Sequence, residues 1–309
     1  MKISIVIPVF NEAAGIELLI QRLAKVTAQL SSHTWEIVFV DDGSNDDTVD
    51  TITKYRHLFH GPLTIVEFSR NFGHQPALLA GLQQSSGDII FCIDADLQDP
   101  PELFGAMLEK QAEGFDVVYA VRKTRTESWP KRWAYKLFYR LQAYLTEIPL
   151  PVDAGDFGLV TRRVAEIMIH SADKDLFLRG LRGWSGFRQT GYEYDRPARA
   201  VGQAKYSFVK LLRLALSGLF GFSSLPLKFA TGIGMISVGG CMIYGIYALI
   251  EKLFLGSTPA GWTSTVLLIL FLGGTQLLSI GILGEYIGRV YKQLQSRPLF
   301  VVKKTTALE

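Results

Sequence analysis

Cysteine is nearly missing from this chain of 309 residues. Cys92 and Cys241 are the two present, and they sit in apolar runs of different character. Neither a disulfide framework nor a zinc site can be built from them. No second His or Cys stands at metal-ligand spacing from His74, which reads as a helix-start residue. No Gly-x-Gly-x-x-Gly follows the first apolar run, and no Gly-x-x-x-x-Gly-Lys-Ser/Thr occurs anywhere. A dinucleotide fingerprint and a P-loop are therefore disfavoured. An excess of one charge is also lacking. Lys and Arg total 32 against 29 Asp and Glu, a net charge of +3, so composition gives no sign of nucleic-acid binding. The N-terminal apolar run is too short for a signal peptide and leads straight into a strand. After about residue 206 charge itself becomes scarce, and Leu, Ile, Gly and Phe dominate to about residue 288.

Strands and helices alternate before that boundary. Ile3 to Phe10 is an uncharged, β-rich run. Asn11 then caps a helix from about Ala13 to Leu30, with Ile16, Leu19, Ile20 and Leu23 on one face. Trp35 to Val40 and Leu63 to Phe68 are further strands, His74 to Ser85 a helix, and Ile89 to Ile93 a buried strand. A helix from Glu102 to Glu113 and a strand from Asp116 to Ala120 follow. This order predicts an α/β fold with a largely parallel sheet covered on both faces. Such sheets bind ligands outside the carboxyl ends of their strands. That rule gathers Pro8–Glu12, Asp41–Ser44, Ser69–Asn71 and Asp94–Asp99 around one crevice.

The strand at Ile89 to Ile93 ends in Asp94, Asp96, Gln98 and Asp99 before Pro100 and Pro101. Oxygen ligands of this kind suit Mg²⁺ or Mn²⁺, with substrate phosphates and water completing the shell. The alternative is a turn whose acids cap the next helix. Asp41 and Asp42, with Gly43 allowing close backbone approach, allow two readings as well. They hydrogen-bond a ribose and base, or they form an Asx turn.

Four segments in order, Val6–Glu12 (VIPVFNE), Val40–Ser44 (VDDGS), Ser69–His74 (SRNFGH) and Asp94–Gln98 (DADLQ), resemble the family 2 inverting glycosyltransferases of GT-A fold. More closely, the whole chain resembles the polyprenyl-phosphate glycosyltransferases. The resemblance implies that Pro8, Glu12, Asp41 and Asp42 hold a nucleotide sugar. It implies that Asp94 contacts the nucleotide and joins Asp96 and Gln98 at a divalent metal.

Residues 121 to 206 carry the acceptor side of this reading. Between Trp129 and Thr146, Arg132, Lys136 and Arg140 recur at helical spacing, beside Trp133, Leu137, Leu141 and Tyr144. This is the pattern of an interfacial amphipathic helix over 128–146, or of a surface helix packed on the sheet. In the resembling family the matching basic residues bind the lipid phosphate, which implies Arg122, Lys131 and Arg132. Val152–Gly158 reads as a loop, with a helix from Leu159 to His170 after it. By resemblance Asp156 takes the catalytic base position; as a helix N-cap it would compete with Thr161. Arg196–Ser207 resembles the family's Arg-x-x-Gly-x-Ser-Lys-Tyr segment, with Ala204 in the place of the serine. That implies Arg199 and Lys205 close over the donor diphosphate.

Residues 1–206 thus read as a GT-A domain, and 207–227 as a juxtamembrane amphipathic helix. A two-helix transmembrane hairpin covers 228–288, with its apolar runs at Phe229 to Ile250 and Thr263 to Leu283. Gly232, Gly234, Gly239, Gly240, Gly273, Gly274 and Gly281 would allow close helix packing, within the hairpin or in a homo-oligomer. Basic residues flank both spans, Lys210, Arg213 and Lys228 before and Arg289, Lys292 and Arg297 after, which orients both ends to the cytoplasm and leaves 289–309 as a cytoplasmic tail. The expected protein is an integral protein of the cell inner membrane. Its expected reaction moves a sugar from a UDP- or GDP-sugar to a polyprenyl phosphate. UDP-glucose is the first donor, and GDP-mannose or a UDP-aminopentose the second. A processive polysaccharide synthase is the rival enzyme, yet Gly180–Trp184 (GLRGW) only faintly resembles its Gln-x-x-Arg-Trp motif. A sugar-nucleotide sensor without turnover is the non-enzymatic rival.

Overall fold

The computed structural model describes residues 1–122, 154–171, 174, 176–195, 225–255 and 261–308. Its strands are β1 (Lys2–Val9), β2 (Thr34–Asp41), β3 (Leu63–Phe68), β4 (Ile89–Cys92), β5 (Val117–Arg122), β6 (Ala154–Thr161), β7 (Gln189–Tyr194) and β8 (Val302–Leu308). They form one sheet in the order β7-β5-β6-β4-β1-β2-β3-β8. The centre is parallel, β1 pairing with β2 and β4, and β2 with β3. β5 and β7 are also parallel, whereas β6 runs antiparallel between β4 and β5 and β8 antiparallel beside β3. The carboxyl ends of β1 to β5 and β7 therefore share one rim with the amino end of β6.

The pleat of β1 sorts the core. Ile3, Ile5, Ile7 and Val9 face one side, where they pack with α1 (Ala13–Gln29), α2 (Thr48–Tyr55) and α4 (Phe104–Ala112). Val6 faces the other, with α3 (His74–Gln84), α5 (Arg162–His170) and α6 (Leu178–Trp184). Ser4 shares the Val6 side and is fully buried. It donates to the Glu36 carboxylate at 2.5 Å, and Glu36 also takes the Ser86 N–H and Lys2. The expected α/β sheet with helices on both faces is present.

Several expected boundaries differ. The α1 N-cap is Glu12 rather than Asn11; its own side chain makes no capping bond, and the Asp46 carboxylate accepts the Ala13 N–H at 3.2 Å instead. Asn11 instead sits at φ 56° and accepts from the Asn45 N–H at 2.8 Å. The turn Pro101–Leu103 precedes α4, so the helix expected at Glu102 opens at Phe104. Val152–Gly158, read as a loop, contributes from Ala154 to β6; that strand runs through Leu159–Thr161, and the helix begins at Arg162. The stretch 289–309, read as a tail, continues a helix to Leu294 and then supplies β8.

The described residues fall into two units, the sheet domain with 297–308 and a helical hairpin. The hairpin consists of α7 (Leu225–Ile250) and α8 (Trp262–Leu294), which pack against each other. The 26 residues of α7 rise about 39 Å, enough for a bilayer core. Among the described residues, Phe229–Tyr247 is the one span that is long and apolar enough to cross a membrane. Met235, Ile236, Ile243 and Leu277 lie open on the hairpin surface, which lipid would cover. A Cβ built at Gly232, Gly234, Gly239, Gly240, Gly273, Gly274 or Gly281 meets nothing within 4 Å. Among the described residues of the hairpin, then, these glycines do not make the expected close contact.

Candidate active site

Three parallel strands open a cavity of about 560 Å³ beyond their carboxyl ends. Phe10, Asp41, Ser44, Asp50, Arg70 and Lys303 are among its lining residues. Its walls are set by acids that hold backbone. The Asp41 carboxylate accepts the Ser44 N–H at 3.2 Å, so Asp41 makes the Asx-type turn and lines the cavity as well. Asp42 accepts the N–H groups of Phe72 at 2.6 Å and Gly73 at 2.9 Å, which ties the β3–α3 loop to β2. Burial, aided by the charge of Asp41, still holds the Asp42 carboxyl above its ordinary range. Gly43, at φ 75°, permits this close approach; a Cβ there would stand 2.6 Å from the Arg70 carbonyl carbon. Pro8 lies in β1 opposite Val40, and the Glu12 N–H donates to Thr48 Oγ1.

The acidic loop after β4 stands further along the rim. Leu97 within it has φ 61°, a conformation that costs a branched residue about 1 kcal/mol or more. Arg22 holds that turn through the Leu97 carbonyl at 3.4 Å, and Leu97 packs on the core. The Gln98 N–H donates to Asp96 Oδ1 at 3.1 Å. Asp99 is buried and accepts from the Tyr194 hydroxyl at 2.7 Å, so it anchors the loop to β7 rather than facing the crevice. Burial pushes Asp94 up to about 6 against the pull of His74, with Asp99, Asp156 and Asp96 adding to the rise. A carboxyl crowded by other acids fits a place where a divalent cation would supply the missing charge. Asp94, Asp96 and Gln98 offer the hard oxygen donors that Mg²⁺ or Mn²⁺ takes. Among the described residues no group of three or more His, Cys, Asp or Glu side chains is close enough to hold a metal unaided. Were a cation held there, a substrate's phosphates would have to complete its shell.

β6 brings Asp156 to the same loop. Cys92 pairs with Gly158, so Asp94 and Asp156 each lie two residues beyond this last pair. His74 Nε2 lies 3.6 Å from Asp94 Oδ1 and 3.4 Å from Asp156 Oδ2. His74 does start α3 as expected, and it also bridges the two acids. Burial works against its charge, but Asp156 and Asp94 raise its pKa above the ordinary value. Arg179 grips Asp156 with two bonds, Nε to Oδ1 at 2.7 Å and Nη2 to Oδ2 at 2.8 Å. Gln75 donates to the same carboxylate at 3.2 Å and accepts the Leu178 N–H at 3.0 Å, joining α3 to α6. Burial opposes ionisation of Asp156, yet Arg179 and His74 hold its carboxyl far below the usual range. Arg182, one turn on, is buried over the Tyr119 ring. Neither arginine was among the expected site residues. Their signal was the Arg-x-x-Arg spacing on a short helix; Arg182 lies inside the Gly180–Trp184 stretch compared with Gln-x-x-Arg-Trp, and Arg179 just before it.

Arg122 closes β5, and the pairing of Val121 with Ala154 places it on this rim. Lys131, Arg132, Arg199 and Lys205 lie outside the described residues, as do the helix expected at 128–146 and most of that at 207–227.

The family model described as "Glycosyl transferase family 2" matches residues 4–168, and that described as "GtrB C-terminal hairpin" matches 225–290. The chain is 43% identical over 307 residues to the uncharacterized glycosyltransferase YkcC of Bacillus subtilis (strain 168), covering 99% of this chain and 94% of that one. It is 39% identical over 307 residues to the SfII prophage-derived bactoprenol glucosyl transferase of Shigella flexneri, covering 99% and 98%. Among solved structures, the mannosyltransferase PcManGT of Pyrobaculum calidifontis, in complex with GDP-Man and Mn²⁺, shares the fold. It has a TM-score of 0.51 and 18% identity over 96% of this chain and 88% of that one.

Proposed function

This chain belongs to glycosyl transferase family 2, and from that premise we propose that it transfers glucose from UDP-glucose to a polyprenyl phosphate at the cytoplasmic face of the inner membrane. The observation that carries the reading is the full-length likeness to a bactoprenol glucosyl transferase, hairpin included. The nucleotide occupies the cavity beside Asp41, with the diphosphate and sugar extending along the rim toward Asp94. Asp94, Asp96 and Gln98 would hold Mg²⁺ or Mn²⁺, which when bound neutralises charge on the departing diphosphate. Arg199 and Lys205 do the same from the donor side, and Arg122, Lys131 and Arg132 collect the lipid phosphate.

A phosphate oxygen of the lipid attacks the anomeric carbon from the face opposite the diphosphate. The new carbon–oxygen bond forms as the bond to UDP breaks, and the configuration inverts. The acceptor is already ionised at neutral pH, so no proton has to be removed. This suits Asp156, whose clamped and strongly acidic carboxyl makes a weak base. Its part is to hold Arg179 and His74 in place at the reacting centre.

Membranes containing the protein, given polyprenyl phosphate and labelled nucleotide sugars in turn, are expected to place label in extracted lipid from UDP-glucose. Excess chelator or Asp96→Ala is expected to remove the label while expression stays intact. Lipid labelled from GDP-mannose or a UDP-aminopentose alone would replace the donor. No labelled lipid from any nucleotide sugar would refute the reaction.

A further inference from the structure

Lys303 lines the cavity at the strand ends, although it lies outside both stretches matched by the family models. Its placement follows from an irregularity in β8. Glu67 pairs with Lys304 and Phe68 with Val302, so Lys303 is the additional residue of a bulge. Bulges bend a strand and re-aim a side chain, and they gather next to active sites. This one is fastened firmly. The Ser69 N–H donates to the Val301 carbonyl at 3.0 Å, Phe300 stacks on Phe68 at 4.9 Å, and Arg56 Nε donates to the Leu308 carbonyl at 3.0 Å.

The cavity's charge gives Lys303 its purpose. Among the described residues, Asp41, Asp46, Asp50 and Glu67 line it, against Arg70 and Lys303 as cations. A nucleoside diphosphate is itself an anion, so four carboxylates around it have to be offset. Arg70 is already engaged: its guanidinium lies 4.0 Å from the centre of the Phe72 ring, and Nη1 donates to the Asn71 carbonyl at 3.0 Å. Of these two, Lys303, exposed and on a flexible stem, is able to turn toward a ligand.

We infer that Lys303 binds the donor, its ammonium donating to an acceptor oxygen on the nucleotide. This rests on the nucleotide-sugar reading above. The consequence is that the donor site is completed by a strand that follows the membrane hairpin in sequence. A chain with every family 2 motif would still lack part of its donor site until its last residues had joined the sheet.

Calorimetric titration of the detergent-solubilised full chain with UDP, and with GDP in parallel, tests the inference. Lys303→Ala is expected to weaken binding of the preferred nucleotide about tenfold. Lys303→Arg is expected to restore most of that affinity. Lys304→Ala, one residue along the same strand, is expected to bind as the wild type does, and all three variants to melt at the wild-type temperature. Equal affinity of Lys303→Ala and wild type overturns the inference while leaving the donor reading intact. So does an equal loss in Lys304→Ala, which would be an effect of the strand as a whole. A wild-type chain that binds neither nucleotide defeats the donor reading and this inference with it.

Discussion

At the β1–β3 end of the rim the acids hold backbone, whereas at the β4–β6 end Asp99 and Asp156 hold side chains. Asp41, Asp42 and Asp46 accept main-chain N–H groups from their own loop or from a neighbouring one. Asp156 accepts from Arg179 and Gln75 and meets His74, so that three side chains from two helices converge on one carboxylate. The first construction shapes a wall whose dimensions follow from turns of a few residues. The second holds a charge in one position through side chains that only packing brings together. A wall of this kind suits binding, and a clamped charge suits orientation of the reacting groups.

Breaking the clamp is expected to have the largest effect. Arg179→Lys keeps the charge but loses the planar fork that matches a carboxylate. We expect kcat to fall about 100-fold, because small misplacements of reacting groups carry such costs. The KM for the nucleotide sugar is expected to hold within about twofold. Steady-state kinetics on both substrates decides this, and a donor KM that rises in step with the loss of kcat would erase the distinction between the two ends.

Gly43→Ala strikes the other end. The new Cβ meets Arg70 and Asn71 backbone at 2.6 and 2.8 Å, at a φ that disfavours any side chain. A cost of about 1–3 kcal/mol is expected, read as a lower melting temperature, with a higher donor KM and a kcat near that of wild type. A variant with an unchanged KM and a depressed kcat would reverse the assignment.

The smallest effect lies away from both ends. Burial works against ionisation of Glu36, but Lys2, Ser4 and Ser86 bring its pKa down to about 2 from 4.5. Its folded-state pKa is below the unfolded value, so its contribution is complete above about pH 4.5 and fades as pH falls toward 2. The melting temperature is expected to drop across that window, and Glu36→Gln to show a flatter profile. Identical profiles would remove Glu36 from the account of acid sensitivity.

Much of the parallel centre was legible. Leu63–Phe68 matches β3 at both ends, and Ile89 to Ile93 overshoots β4 by one residue. Short β-rich runs closed by a polar turn residue, Ser69 after β3 and Asp94 after β4, are strong signals, because a strand buried on both faces is largely apolar. β6 was not legible. Gly155, Asp156 and Gly158 interrupt its pattern, and Gly158 is tolerated because it lies against the β5 backbone, where a Cβ would meet the Val118 carbonyl oxygen at 2.4 Å. β8 is an exposed edge strand whose lysines and threonines carry no burial signal, although charged edges are how sheets avoid further pairing.

The sequence by itself determined the alternation of strands and helices, the acids at the ends of β2 and β4, and the apolar run of α7. Each of these is a property of neighbours along the chain, where hydrophobic period and turn chemistry act. Only the tertiary structure decided that Asp156 meets His74 beside Asp94, that Arg179 grips it, and that Lys303 enters a cavity made by residues 10 to 71. Those meetings depend on antiparallel register and on a bulge, and hydrogen bonds between distant strands set both.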